Sequence, residues 1–104
     1  MLVSKSSCEV GDVVSFKLAN GDEIVAKIAE ITGSEYVLER PCVVVPSAQG
    51  MVLIQALVSA DTKHNININK THIMMMAPTV DQIVNHYIQT TTGIQTVTKG
   101  GIIT

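Results

Sequence analysis

Apolar and polar residues alternate in the first third of the chain, as they do in strands with one buried face. Two apolar sets of period two flank the turn sequence Asn20-Gly21. The sets are Val14, Phe16 and Leu18 before the turn and Ile24, Ala26 and Ile28 after it. This pattern predicts an opening β-hairpin.

Burial of both apolar sets decides the expected register, because a slip of one residue turns every side chain of a strand to the other face. A two-residue loop at Asn-Gly would set apolar residues against polar ones. A three-residue loop over 20–22 places Leu18 opposite Ile24 and continues the apolar pairs along both strands. We therefore predict the longer loop, with Gly21 or Asp22 in the left-handed conformation of a bulged turn.

Further strands follow this hairpin. One is predicted over 35–45, where Pro41 indicates a bulge or an edge position. The segment 51–59 is apolar in both phases, as a strand covered on both faces would be. The apolar phase then switches across the polar segment 69–72, which predicts a second hairpin.

The C-terminal part changes to a helical period. Thr79 and Gln82 fit a capping box, and apolar residues recur at helical spacing towards Gly93. We predict a helix over about 79–91, a single domain over 1–93 and a mobile tail over 94–104. Five or six strands followed by one helix predict a mainly β fold, either a small barrel or a strongly bent sheet with the helix on its open side.

Composition narrows the classes of protein to consider. The 104 residues suit one domain, and 46% hydrophobic against 15% charged residues exclude a disordered chain. The formal charge is −2, and the seven Lys and Arg are scattered in sequence. Because nucleic-acid-binding domains normally have a basic face, binding of nucleic acid by this chain requires a device that concentrates its cations.

The two cysteines and the N-terminus indicate an intracellular protein. Cys8 and Cys42 lie far apart and outside any paired-cysteine motif, so we expect reduced thiols, although a disulfide stays open. The chain begins without the long apolar stretch of a signal peptide. No apolar run reaches the roughly 20 residues of a membrane span. We expect a cytoplasmic protein that does not bind membranes.

Four stretches of the sequence carry a family resemblance. The opening hairpin, with Asn20-Gly21, Glu23 and Ile28, resembles the first motif of the Sm-like family. The stretch EYVLE resembles the apolar strand that follows that family's first RNA-contacting loop. NINKTHIMMM stands where the second motif would lie, and its Lys70 and His72 are similar to the Lys-His pair of the bacterial Hfq branch. The trailing helix resembles that of Sm-like proteins from tailed marine phages.

The resemblance covers about residues 10–93 and implies a fold, an assembly and a partner. The implied fold is a strongly bent, five-stranded Sm-like barrel with a C-terminal helix. The implied assembly is a closed homo-oligomeric ring, in the host cytoplasm if a phage encodes the chain. The implied partner is single-stranded RNA at the pore. The RNA-contacting residues would then be Lys70, His72, Asn69, Thr32, Ser34 and Glu35.

This chain also departs from the family pattern. Ala26 stands where the family has Gly, and the Arg-Gly of the second motif is missing. Thr32 and Glu35 lie near the family's Asp and Asn, and the Glu35 carboxylate would repel RNA. These departures favour a second interpretation, a structural or adaptor ring that binds protein and no RNA.

The Met74-Met75-Met76 run indicates where subunits would meet. Alternate methionines could simply fill the core. On an edge strand, however, they would expose apolar surface that natural edges usually interrupt with charge, and Sm-like rings pair their closing strands between subunits. The predicted subunit interface consists of Met74, Met75, Met76, Ile66 and Ile68.

Catalytic and metal motifs are missing from the sequence. His64, His72 and His86 do not have the spacing of a recognised ligand set, and neither a nucleophile motif nor a phosphate-binding loop occurs. We therefore expect no enzyme activity, no metal and no cofactor.

Overall fold

The computed structural model describes residues 8–92, so the tail predicted over 94–104 lies outside the described residues. Six strands and one α-helix follow each other in the order that the sequence predicts. They are β1 (Val13–Leu18), β2 (Glu23–Ile31), β3 (Glu35–Ser47), β4 (Gly50–Gln55), β5 (Ile66–Asn69), a 3₁₀ turn η1 (Lys70–His72), β6 (Ile73–Pro78) and α1 (Asp81–Thr92).

The strands form one antiparallel sheet in the order β4-β3-β2-β1-β6. β5 lies off this path and pairs with the first part of β3, whereas β4 pairs with the last part of β3. The predicted class, a small bent β fold with a C-terminal helix, is confirmed. In detail there are six strands instead of five, and the sheet does not close into a barrel within residues 8–92.

The opening hairpin has the predicted loop length but not the predicted register. Phe16 lies opposite Ile24, so the expected pairing of Leu18 with Ile24 is wrong. The loop spans 19–21, because the Leu18 N–H bonds to the Asp22 carbonyl and the Gly21 N–H to the Leu18 carbonyl. Gly21 adopts φ +98, the left-handed conformation that closes such a turn. A shift of two residues keeps every side chain on its face, so the apolar sets still meet.

Two register shifts divide the long β2–β3 pair. One leaves Arg40 and Pro41 as a bulge on β3, as Pro41 predicts, and Arg40 has a positive φ of 43. The second shift lies between Ile28 and Glu30 on β2. Bulges increase the local twist and bend the strand that carries them, which allows β3 to pair with β5 at one end and with β4 at the other.

The second predicted hairpin is wrong in its pairing. β5 pairs with β3, and β6 pairs with β1. The turn η1 crosses the gap between them and is fixed at both ends, because the Lys70 N–H donates to the Ser34 carbonyl at 2.9 Å and the His72 carbonyl accepts from the Ala19 N–H at 2.8 Å.

Apolar clusters cover both faces of the sheet. The inner cluster consists of Val14, Phe16, Ile24, Ala26, Ile28 and Leu38. The outer cluster, beneath α1, consists of Val25, Cys42, Val44, Leu53 and Tyr87. The expectation that 51–59 is covered on both faces is wrong: β4 ends at Gln55, and Met51, Val52 and Ile54 are 41–47% exposed.

Helix α1 is attached to the sheet through Tyr87, which is 3% exposed. The Tyr87 hydroxyl donates to the Glu39 carbonyl at 2.6 Å and accepts from the Lys27 N–H at 3.2 Å. Lys27 and Glu39 are opposite each other beside the Arg40 bulge, so the hydroxyl joins the two strands where their ladder is irregular. The helix begins at Asp81, and the Thr79 hydroxyl lies 2.8 Å from the Ser15 hydroxyl and does not cap Gln82.

Candidate functional site

The two turns that the sequence analysis singles out lie side by side. The turn at 32–35, whose last residue is the first of β3, joins β2 to β3, and η1 connects β5 to β6. Besides the Lys70–Ser34 backbone bond, Asn69 lies opposite Glu35 in the β3–β5 ladder. All six predicted RNA-contacting residues are therefore at one end of the sheet, although about 35 positions separate the two turns in sequence. We call this end, formed by 32–36 and 67–72, the rim.

Thr32 holds the first turn together. Its hydroxyl oxygen accepts from the Glu35 N–H at 2.9 Å and from the Ser34 N–H at 3.3 Å, and its own N–H donates to the Glu35 carbonyl at 2.9 Å. A threonine that makes these local bonds specifies a tight turn. Thr32 therefore shapes the rim, and the exposed Ser34 lies beside it at the surface.

Asn69 has a similar local role in the second turn. Its Oδ1 atom accepts from the N–H and from the hydroxyl of Thr71, both at 2.9 Å. This is the capping geometry that begins a short helical turn. It fixes the direction in which the following Lys70 and His72 leave the sheet. His72 is exposed and Lys70 is half-buried.

The Lys70 ammonium lies over an aromatic ring that the sequence analysis does not include among the site residues. Its Nζ atom is 5.2 Å from the centroid of the Tyr36 ring, within the range of a cation–π interaction. Tyr36 also packs edge-on against Phe16, with 5.7 Å between centroids, and its hydroxyl donates to Met76 Sδ at 3.4 Å. The available signal was the EYVLE stretch, in a chain with only three aromatic residues.

The Glu35 carboxylate is directed along the sheet and has a partner. Its Oε1 atom accepts from the Asn67 side-chain amide at 3.0 Å. Asn67 is a second rim residue that the sequence analysis missed. It stands opposite Val37 on β5, and only the strand pairing brings it close to Glu35.

Negative charge dominates the described part of the chain. Residues 8–92 contain five of the seven Lys and Arg and all nine Asp and Glu, which gives a formal charge of −4 with neutral histidines. At the rim itself, Lys70 is accompanied by the Glu35 carboxylate. Asp22 lies in the neighbouring turn, which the Ala19–His72 backbone bond joins to η1. A single rim is therefore not a basic surface.

The predicted interface residues divide into two groups. Met74 and Met75 are each 68% exposed. Met76 and Ile68 are partly buried against the inner cluster, and Ile66 is half-buried at the start of β5. The core-filling alternative thus describes Met76 but not its two predecessors.

Both ends of the described sheet carry exposed apolar residues. β6, with Met74 and Met75, is one end, and β4, with Met51, Val52 and Ile54, is the other. A groove of about 350 Å³ follows β6 and β1, lined on its apolar side by Phe16, Met75 and Met76. Edges of this kind are normally interrupted by charge or covered.

Residues 8–92 contain neither a candidate metal site nor a candidate membrane-spanning helix. The structure brings together no group of three or more His, Cys, Asp or Glu side chains there that could hold a metal ion. In the same part of the chain, no helix combines the length and the apolar character that crossing a membrane requires.

Comparison with known proteins adds no relative. No protein-family model matches the chain, and no curated protein matches it. The assignment of a function therefore rests on the sequence and on the geometry of the rim and the sheet edges.

Proposed function

We propose that this chain is a subunit of an Sm-like closed homo-oligomer that binds single-stranded RNA at its rim and carries out no catalysis. The observation that carries the proposal is the contact between the 32–35 turn and η1, made by the Lys70–Ser34 backbone bond. It gathers Lys70, His72 and the polar turn residues into one surface. In this proposal the ring works in the cytoplasm, that of the host if a phage encodes the chain.

Assembly is supported by the two unlike apolar edges. If β6 of one copy adds to β4 of the next, backbone hydrogen bonds continue across the subunits and the exposed methionines are covered. Such a head-to-tail contact produces a ring when its rotation closes. Sedimentation equilibrium at low micromolar concentration tests this step, and a clean monomer would refute it.

Ring closure is also the device that concentrates cations. One rim offers a single Lys70 beside carboxylates, but a ring places one Lys70 and one His72 from every subunit around the same axis. Repeated cations can make a local positive potential on a chain whose net charge is negative. Single-stranded RNA suits this surface, because proteins read unpaired bases by stacking and by hydrogen bonds at base edges.

The test is a titration of short U-rich and A-rich RNA at two salt concentrations with variants of the rim. Lys70→Ala should weaken binding of both RNAs and lower the salt slope by about 0.7 for each copy that contacts a phosphate. Lys63→Ala is the matched control, since Lys63 is exposed near the other end of β5. Equal losses in the two variants would mean that the RNA site lies elsewhere.

Glu35→Gln separates charge from structure. Glutamine retains an oxygen that can accept from Asn67, so the β3–β5 contact is kept, but the negative charge is removed. Binding of RNA should increase, because a carboxylate near the phosphates is repulsive. Unchanged or weaker binding would exclude RNA from the immediate surroundings of Glu35.

A protein-binding adaptor ring is the second candidate, and the charge of −4 over residues 8–92 favours it. The Glu35 carboxylate beside Lys70 favours it as well. Both candidates predict a ring, so assembly does not distinguish them. Absence of RNA binding by the wild-type ring, even at low salt, would reject the RNA proposal and leave the adaptor.

A further inference from the structure

Tyr36 connects three parts of the molecule that are distant in sequence. Its ring packs edge-on against Phe16, which is 1% exposed in the inner cluster. Its hydroxyl donates to Met76 on β6, and the Lys70 ammonium lies over its ring. The ring is therefore held by the core and by an edge strand while it contacts the cation of the rim.

We propose that Tyr36 is the positioning residue of the rim: it holds the Lys70 ammonium at a fixed place from which the lysine contacts the phosphates of bound RNA. The contact between Lys70 and RNA phosphates rests on the RNA-binding function proposed above. The placement of the Lys70 ammonium by Tyr36 does not, so an experiment can refute either claim and leave the other.

A lysine side chain needs such a support to act as a defined contact. It has four rotatable bonds, and holding them in one arrangement costs side-chain entropy. The backbone of Lys70 is already fixed by its bond to Ser34. The Tyr36 ring restricts the far end of the side chain, and an ammonium over an aromatic face keeps several N–H donors directed to solvent.

Two substitutions at Tyr36 separate the ring from its hydroxyl. Tyr36→Phe keeps the aromatic face and removes only the contact with Met76 Sδ, whereas Tyr36→Leu keeps an apolar side chain and removes the aromatic face. RNA affinity of the leucine variant should fall by about two- to fivefold per contacting site, the usual strength of an exposed cation–π pair. The phenylalanine variant should bind as the wild type does.

A double-mutant cycle tests whether Tyr36 acts through Lys70. If it does, Tyr36→Leu should have no further effect in a Lys70→Ala background, because residues that act as a unit are not additive. Additive losses would overturn the proposal. Stronger binding by Tyr36→Leu would also overturn it, because the ring would then be withholding the lysine from RNA.

Nuclear magnetic resonance supplies a measurement that needs no RNA. The ε-methylene protons of Lys70 should resonate upfield of those of Lys63 in the wild type and in Tyr36→Phe, because the Nζ atom bonded to that methylene lies over the Tyr36 ring. The shift should vanish in Tyr36→Leu. Lack of an upfield shift in the wild type refutes the positioning role, whatever the RNA result. An upfield shift in a ring that binds no RNA would support the positioning role and refute only the RNA function.

Discussion

The Tyr87 hydroxyl hydrogen-bonds helix α1 to the sheet, and Tyr87→Phe tests what this group contributes to stability. The substitution keeps the aromatic ring in the outer cluster and removes the atom that joins the Lys27 N–H to the Glu39 carbonyl. The side chain that carries this hydroxyl is 3% exposed, so both backbone groups would lose a buried partner.

The magnitude follows from what is left without a partner. A buried polar group that loses its hydrogen bond costs about 1–3 kcal/mol. Two backbone groups, the Lys27 N–H and the Glu39 carbonyl, lose their partner. Removal of the hydroxyl also removes the cost of burying that hydroxyl. We therefore expect the free energy of unfolding to fall by about 2 kcal/mol. For a domain of this size the melting temperature should fall by roughly 10 °C.

Urea unfolding of the variant at a fixed protein concentration measures this loss. Tyr36→Phe is the matched control, because within residues 8–92 the Tyr36 hydroxyl has Met76 Sδ as its one partner, at 3.4 Å, and sulfur is a weak acceptor. We expect the control to change stability by less than about 0.5 kcal/mol. Equal effects of the two substitutions would show that the hydroxyl does not join the strands.

The dependence of stability on pH provides a second measurement on the same side chain. Burial raises the pKa of the Tyr87 hydroxyl from 10.0 to about 12. The folded state holds this proton more tightly than the unfolded state. The stabilisation that the protonated Tyr87 hydroxyl gives to the folded state is therefore complete below pH 10 and is lost as the pH rises from 10 to 12. On the order of 2–3 kcal/mol should disappear from the wild type over that range. Tyr87→Phe should lack this component, and parallel pH profiles of the two proteins would refute the reasoning.

Three further substitutions test the turn, the bulge and the edge. Gly21→Ala should cost about 1 kcal/mol in urea unfolding because of the φ of +98, whereas Gly33→Ala, at a glycine without a positive φ and with open space around it, should not. Arg40→Gly should stay within about 0.5 kcal/mol of the wild type, because relief of the positive φ offsets the entropy cost of glycine; a larger loss would mean that the arginine side chain stabilises the bulge. If copies assemble as proposed, Met75→Asp should weaken assembly by roughly 3 kcal/mol per interface in sedimentation, and Val80→Asp, at a comparably exposed position just before α1, should not.

The alternation of apolar residues predicts faces more reliably than partners. In the opening hairpin it identified the residues that share a face, and these residues form most of the inner cluster. It could not choose between registers that differ by two, because both leave every side chain on the same face. The choice came from Gly21, which occupies the left-handed position and thereby ends the loop one residue earlier than predicted.

The local sequence pattern could not predict which strands β5 and β6 pair with. The phase switch across 69–72 correctly marks a turn, but a turn between consecutive strands does not require those strands to pair. The bend of β3 makes its first half available to β5 and leaves β6 to β1. The proximity of the two rim turns follows from that arrangement, and only the family resemblance could suggest it in advance.

The apolar segment at β4 illustrates a different limit. A strand covered on both faces and an edge strand that awaits another chain have the same sequence pattern, since both are apolar in both phases. The exposure of Met51, Val52 and Ile54 excludes the first arrangement for a single copy of residues 8–92. The ring proposal requires the other arrangement, an edge strand that pairs with another copy of the chain.

Tyr36 links the rim to the edge strand β6, so assembly through β6 should affect the position of Lys70. Met76 lies opposite Phe16, the residue against which the Tyr36 ring packs, and belongs to β6, the strand that would pair with a neighbouring copy. A strand fixed on both sides opens less readily than an edge strand. If assembly fixes β6, it also steadies Met76, the Tyr36 ring above it and the Lys70 ammonium on that ring. If the ring forms, a subunit kept monomeric by Met75→Asp should therefore show a smaller upfield shift of the Lys70 ε-protons than an assembled subunit, although Met75 lies opposite Lys17 on β1 and outside the rim.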